Sequence, residues 1–119
     1  MSDYSIKRLC DGEEVTSKNS INYSDRIVHK GKSPQLKLTV ICNKKEQTLL
    51  ESFLGFVVEV KYKERWGNKE QMAHARLIEV NKNSYDVELV LLEFDTILNA
   101  LKAAGYDHTR MEATEEENG

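Results

Sequence analysis

The chain has 119 residues, the length of one domain, with 39% hydrophobic residues, 31% charged residues and a net charge of -3. This is the composition of a soluble globular protein. The longest apolar runs are too short to cross a bilayer, and the N-terminal residues lack the apolar segment of a signal peptide. We therefore expect a cytoplasmic protein that does not enter a membrane.

The acidic excess lies at the C-terminal end of the chain. Residues 93–119 carry seven acidic and two basic side chains, whereas the charges of residues 1–92 nearly balance. The net charge thus argues neither for nor against a nucleic-acid partner. The two cysteines, Cys10 and Cys42, fit a reducing compartment, and their spacing does not indicate a disulfide.

The N-terminal third has only weak structural signals. Residues 4–9 predict a short edge strand, and residues 10–12 predict a turn. Residues 21–23 and 27–28 are weak strand candidates. A loop at 30–34 contains the only proline of the chain.

The pattern becomes clear after this loop. Apolar and polar residues alternate over 36–43, which predicts a strand with one buried face. Asn43 followed by Glu46 resembles a capping box, and apolar residues follow on one helical face. Gly55 suits the left-handed position after a helix, so we predict a helix over 44–54.

Three strands over 56–63, 72–80 and 85–92 are predicted to form an antiparallel meander. A turn at 65–69 joins the first two strands, and a turn at 81–84 joins the last two.

A second helix is predicted over 96–104, with Gly105 as its end. Its apolar stripe would consist of Ile97, Leu98, Leu101 and Ala104. The remaining residues, 107–119, are polar and acidic without periodicity, which predicts a disordered tail.

The predicted fold is α+β: a curved antiparallel sheet or small barrel with two short helices, in the order β-α-β-β-β-α after the N-terminal part. A single domain would span 1–106 and the disordered tail 107–119. The side chains predicted to form the buried core include Leu50, Phe53, Val60, Leu89 and Leu101.

No motif for phosphate binding, structural zinc or nucleophilic hydrolysis is present, so we expect no enzyme, cofactor, metal or small-molecule substrate. The three histidines are far apart in sequence. Four carboxylates on predicted strands are expected to form a solvated face with ordinary cross-strand ion pairs beside Lys61 and Arg76. They are Glu59, Glu79, Asp86 and Glu88.

The hairpin over 61–69 is the predicted binding site, because it combines basic side chains with Tyr62 and the only tryptophan. Aromatic and arginine side chains are enriched at protein–protein hot spots, and basic groups with an exposed ring also suit nucleic acid. Trp66 packed back on the sheet is the structural alternative. The predicted binding residues are Lys61, Lys63, Arg65, Trp66 and Lys69.

From Lys32 to Glu93 the chain resembles small phage tail and baseplate proteins of the tail-tube type. The resemblance rests on Pro34 before an alternating strand, the helix NKKEQTLLESFLG, the hairpin VVEVKYKERWGNKE and the strand ending ELVLLE. It implies a β-core used for assembly and no active site.

The leading functional hypothesis is therefore a non-enzymatic protein that binds other protein chains or itself. A phage assembly protein is one version, and a small inhibitor or immunity protein that blocks a nuclease or defence enzyme is another. A nucleic-acid-binding protein that uses the hairpin is a less favoured alternative, because Glu64 and Glu70 dilute the positive charge there.

Overall fold

The computed structural model describes residues 4–17, 21–28, 30–63, 69–84 and 86–118, with only the backbone for 17, 21–23 and 110–118. Within these residues, seven strands form one curved, unclosed antiparallel sheet, accompanied by two helices. The elements are β1 (Tyr4–Arg8), β2 (Glu14–Ser17), β3 (Ile21–Ile27), β4 (Gln35–Ile41), α1 (Lys44–Ser52), β5 (Val57–Lys63), β6 (Glu70–Lys82), β7 (Asp86–Glu93) and α2 (Ile97–Asn118).

The order β-α-β-β-β-α is confirmed from β4 to α2. The prediction that the first strand lies at an edge is wrong, because the sheet order is β2-β1-β5-β6-β7-β4-β3. The turn at 10–12 folds β2 back along β1, so β2 takes the edge position and β1 gains β5 as its second neighbour.

The chain connectivity requires the sheet to curve. β2 and β3 are the two edges of the sheet, yet only residues 18–20 separate them in sequence. Such a connection spans at most roughly 14 Å, far less than the width of seven flat strands. The curvature also brings β1 to the end of β4, where the Tyr4 hydroxyl donates to the Ile41 carbonyl oxygen at 3.1 Å.

The main core covers the inner face of this sheet, which is the face that bears Val58 and Val60 of β5. Leu50 and Phe53 from α1 and its end are fully buried against it. The alternation predicted for β4 is confirmed, since Leu36, Leu38 and Val40 are buried there. Other buried members of this core are Ile6, Val15, Leu77, Val87, Leu89 and Leu91.

The predicted capping box at the start of α1 is confirmed. The Glu46 N–H donates to the Asn43 side chain at 2.8 Å, and the Asn43 N–H donates to the Glu46 carboxylate at 2.9 Å. α1 ends at Ser52, two residues earlier than predicted, and Leu54, the last residue of the predicted helix, is exposed. Gly55 takes the predicted left-handed conformation, with φ at 86°.

A smaller apolar cluster joins α2 to the outer face of the sheet, which bears Val57 and Glu59. Ala100 and Ala104 of the helix pack on Val57, together with the partly buried Leu9 and Phe94. Alanine side chains are short, so the helix axis approaches the sheet closely.

The prediction that the second helix ends at Gly105 is wrong, because α2 continues to Asn118. It includes residues 107–118 of the predicted disordered tail, and Gly119 lies outside the described residues. Asp107, one turn beyond Ala104 on the sheet-facing side, is only 3% exposed. Its carboxylate accepts hydrogen bonds from the Val57 N–H at 2.9 Å and from the Arg76 guanidinium at 3.2 Å. These bonds hold the helix on the sheet past Gly105, which sequence periodicity alone did not indicate.

None of the helical stretches among the described residues is both long enough and apolar enough to span a bilayer.

Candidate protein-binding surfaces

The hairpin formed by β5 and β6 carries the predicted binding residues. Its strands pair from Val57 opposite Arg76 to Lys63 opposite Glu70, and pairing of β6 with β7 begins only at Ala75. The end of the hairpin therefore extends past β7.

The structure brings together part of the predicted binding site. Lys61 and Lys63 lie two residues apart on the outer face, where both are partly exposed, and Lys69 is exposed at the start of the second arm. Arg65 and Trp66 lie outside the described residues. Their predicted role stays a prediction.

Glu59 neutralises part of the positive charge on this face. Its Oε1 lies 3.8 Å from Lys61 Nζ and 3.9 Å from Lys7 Nζ, and its Oε2 lies 3.0 Å from His74 Nε2. Lys63 also faces Glu70 across the ladder. The face thus carries charges of both signs.

The other predicted carboxylates also have structural partners. Asn81 donates to Glu79 at 3.1 Å and to Glu88 at 3.2 Å, as expected for an ordinary polar strand face. Asp86 is not solvated as predicted: it is 8% exposed and accepts from the Asn83 amide at 2.7 Å, which ties the turn before β7. Among the described residues, no three histidine, cysteine or acidic side chains are grouped so as to hold a metal ion.

Two grooves flank Tyr62 near the end of the hairpin. One, of about 250 Å³, runs along β1, β2 and the hairpin and includes Glu14 and Lys63 in its lining. The other, of about 330 Å³, lies between the hairpin and β3 and includes Arg26 and Glu93, which form an ion pair at 2.7 Å. Both linings combine charges of opposite sign.

Sequence reasoning missed an apolar patch on α2, formed by Ile97, Leu98 and Leu101. These side chains are 58%, 60% and 54% exposed, so the prediction that Leu101 belongs to the core is wrong. The helix places Ala100, Ala104 and Asp107 against the sheet and turns the larger side chains outward.

The spacing of the small residues in the sequence indicates this orientation of the helix. Ala100, Ala103, Ala104 and Asp107 recur at i, i+3, i+4 and i+7, a helical face in its own right. Because the stripe of larger residues has the same period, hydrophobicity alone favoured the wrong face.

Gly105 lies in the middle of α2 beside the exposed patch. It is not among the glycines with positive φ, and a Cβ atom added there would meet nothing within 4 Å. Neither backbone conformation nor packing within the chain therefore requires glycine at this position.

A basic loop lies next to the first turn of α2. The Glu93 N–H donates to the Pro34 carbonyl at 2.9 Å, and Ser33 shares a cavity of about 240 Å³ with Asn99 of α2. Lys30 and Lys32 in this loop are exposed. Charges of both signs thus lie near the N-terminal end of the apolar patch, since Glu93 and Asp95 line the same cavity.

Comparisons of the chain with protein-family models, with curated proteins and with solved structures found no match.

Proposed function

We propose that this protein is a non-enzymatic interaction or assembly protein whose partners are other protein chains. The observation that carries the proposal is the exposed patch of Ile97, Leu98 and Leu101. A helix that already packs one face on the sheet has no folding reason to present three large aliphatic side chains to water. Interfaces commonly have such an apolar centre with a polar rim, here supplied by Asn99 and Lys102.

The hairpin provides a second proposed contact zone, with Lys61, Lys63 and Lys69 and, by prediction, Arg65 and Trp66. Long cationic side chains around an aromatic residue suit the rim and centre of a protein interface. The balancing carboxylates Glu59 and Glu70 disfavour the nucleic-acid alternative. Cys10 and Cys42 are both thiols, which supports the cytoplasm as the proposed compartment.

Two forms of the proposal differ in stoichiometry. An assembly protein of the phage tail-tube kind would form rings or stacks of identical copies. The resemblance of residues 32–93 to such proteins and the curved sheet of this chain support this form. An inhibitor or immunity protein would instead form a discrete complex with one enzyme. Electron microscopy and mass measurement of the purified complex distinguish them.

The experiment compares partner capture by three versions of the chain. The wild type is tested beside Leu98→Glu/Leu101→Glu, which places charge in the patch. Lys45→Glu/Thr48→Glu on exposed positions of α1, which changes the net charge in the same direction, is the control. We expect the patch variant to lose proteins, identified by mass spectrometry, that the wild type and control retain.

Purified partners then allow the affinity and its salt dependence to be measured. An affinity that collapses at high salt and is reproduced by oligonucleotides would refute the proposal in favour of nucleic acid. Identical capture by all three versions would show that the patch does not bind the captured proteins, and this result would also contradict the proposal.

A further inference from the structure

Leu98, Leu101 and Gly105 follow each other at intervals of three and four residues along the exposed side of α2. This is the spacing at which one helix meets another along a seam. Leu98 and Leu101 are more than half exposed, and the side of Gly105 that would carry a Cβ faces open space. The seam therefore consists of two large side chains, Leu98 and Leu101, followed by an open space at Gly105, which we call the notch.

The notch has a stability disadvantage that the single chain does not explain. Glycine is less favourable than alanine inside a helix, and alanine would fit here without contact. Glycine is useful where another backbone or a large side chain must approach closely. Gly105 thus indicates close approach by an external element to the same stripe that exposes the leucines.

The charges along the helix have opposite signs at the two ends of this seam. Lys30 and Lys32 are exposed in the loop whose Ser33 lines a cavity with Asn99, and they outnumber Asp95, the exposed acid of that lining. The last turns of α2 contain four glutamates, Glu112, Glu115, Glu116 and Glu117. A second copy of the chain therefore offers both the acid and the base that complement this surface.

Resting on the proposed function, we propose that the partner of this patch is a second copy of the same chain, bound through antiparallel pairing of the two α2 helices. Leu98 of each copy enters the notch at Gly105 of the other, so that one two-fold axis between them satisfies both contacts. The contact surface is then complementary to itself.

The same pairing accounts for the charges. At 1.5 Å per residue, Glu112 lies about 10 Å beyond Gly105 along the helix, which carries it past the first turn of the opposing α2. The acidic end of each helix then reaches the loop with Lys30 and Lys32 of the other copy. Parallel pairing would instead place the two acidic ends together and oppose glycine to glycine.

Sedimentation equilibrium of the full chain tests the pairing between about 1 µM and 1 mM. We expect the wild type and the Lys45→Glu/Thr48→Glu control to dimerise with the same dissociation constant. Leu98→Glu/Leu101→Glu should weaken the dimer at least about 100-fold while circular dichroism shows the fold retained. A wild type that stays monomeric at the highest concentration, or a dimer unaffected by the glutamates, overturns the proposal.

Disulfide trapping tests the direction of the helices. In a Cys10→Ser background, a Leu98→Cys chain mixed with a Gly105→Cys chain should form a crosslinked pair on mild oxidation, because the two positions oppose each other. The Leu98→Cys chain alone should not crosslink, since its two copies lie about two turns apart along the seam. Efficient crosslinking of Leu98→Cys with itself indicates parallel pairing and overturns the proposal.

Charge reversal tests the contact between loop and helix end. Lys30→Glu/Lys32→Glu should weaken the dimer at low salt by at least about tenfold and flatten its salt dependence. Adding Glu115→Lys/Glu116→Lys to the same chain should restore it, and absence of restoration contradicts this contact.

The outcome also separates this inference from the proposed function. A monomeric chain whose patch variant still loses a different captured protein refutes self-pairing and leaves the proposed function standing. A monomeric chain with no loss of capture refutes both.

Discussion

The carboxylate of Asp107 accepts a hydrogen bond of 2.9 Å from the backbone N–H of Val57, and this contact joins the middle of α2 to the first residue of β5. Arg76 extends the connection, because its guanidinium donates both to Asp107 and to the Gly55 carbonyl. Three segments distant in sequence therefore meet at one buried carboxylate.

Removing this contact should destabilise the protein. We expect a chain that ends at Tyr106 to be less stable than one that ends at Thr109 by about 1–3 kcal/mol, because the buried Val57 N–H loses its acceptor. Asp107→Ala in the full chain should act in the same direction. Urea unfolding of the three chains measures the difference. Equal midpoints for the two truncations would show that Asp107 adds no stability.

The exposed face of α2 should respond to substitution differently from the buried core. Phe53 is fully buried beside α1, so Phe53→Ala should lower the free energy of unfolding by about 3–5 kcal/mol. Leu101→Ala should change it by less than about 0.5 kcal/mol. Measurement at low protein concentration removes any contribution from α2 pairing. A large loss for Leu101→Ala under these conditions would place Leu101 in the core after all.

Arg8 and Asp11 should give the stability a defined dependence on pH. Arg8 lies over the rings of Phe53 and Phe56, at 5.2 and 5.1 Å, and binds the Asp11 carboxylate through two hydrogen bonds of 3.0 and 2.6 Å. The hydrogen bond from Arg8 lowers the pKa of Asp11 below its ordinary value of 3.8. The ionised carboxylate therefore stabilises the fold above that value, and the contribution is lost as the pH falls through the lowered pKa.

Asp11→Asn is expected to lower stability slightly at pH 7, by less than about 1 kcal/mol for this partly exposed pair. The difference from wild type should shrink as the pH falls below 3.8 and through the lowered pKa, because the folded protein then also binds the proton at Asp11. Urea unfolding across this pH range is the measurement. A difference independent of pH would mean that the ion pair is not its source.

The two thiols should differ in reactivity. Burial, with smaller effects from the charges of Glu46 and Asp86, raises the pKa of Cys42 to about 11, and Cys42 is 5% exposed. Burial also raises the pKa of Cys10, which is only partly covered. With a thiol reagent at about pH 8 we expect Cys10 to label first and Cys42 to label only on unfolding. Rapid labelling of a folded Cys10→Ser chain would contradict this.

The end of the hairpin is expected to serve binding more than folding. Since pairing of β6 with β7 begins at Ala75, Arg65→Ala/Trp66→Ala should leave the thermal midpoint near that of wild type and sharply weaken partner binding. Thermal unfolding and titration with the captured partner measure the two effects. An unfolded variant whose remaining folded fraction binds normally would identify Trp66 as a core residue.

The variants Lys63→Ala and Lys69→Ala then report the chemical class of the partner. A loss of binding affinity that disappears at high salt indicates phosphates, and a loss that persists at high salt indicates a packed protein interface.

Local patterns predicted those parts of the fold whose stabilising contacts are close in sequence. The alternation in β4 and the capping box of Asn43 and Glu46 were both confirmed. The antiparallel pairing of β5 with β6 was also confirmed. It could be predicted because a short connection leaves adjacent strands few other arrangements. These features depend on the period of the chain and on turn chemistry, which a sequence displays directly.

The candidate binding surface was only partly predictable. The sequence marked Lys61, Lys63 and Lys69, and alternation placed the first two on one face. It did not reveal that Glu59 would be shared by Lys61, Lys7 and His74, because that cluster requires β1 beside β5.

The sequence by itself determined the fold class, the β4-to-α2 order and the inner-face periodicity of the core. Only the tertiary structure decided that β1 lies inside the sheet, that α2 continues through Gly105 and that Leu98 and Leu101 face outward. The physical reason is that α2 has two apolar faces of the same period. The choice between them depends on how closely Ala100 and Ala104 approach Val57, and on the hydrogen bonds that Asp107 makes with residues 50 and 31 positions away.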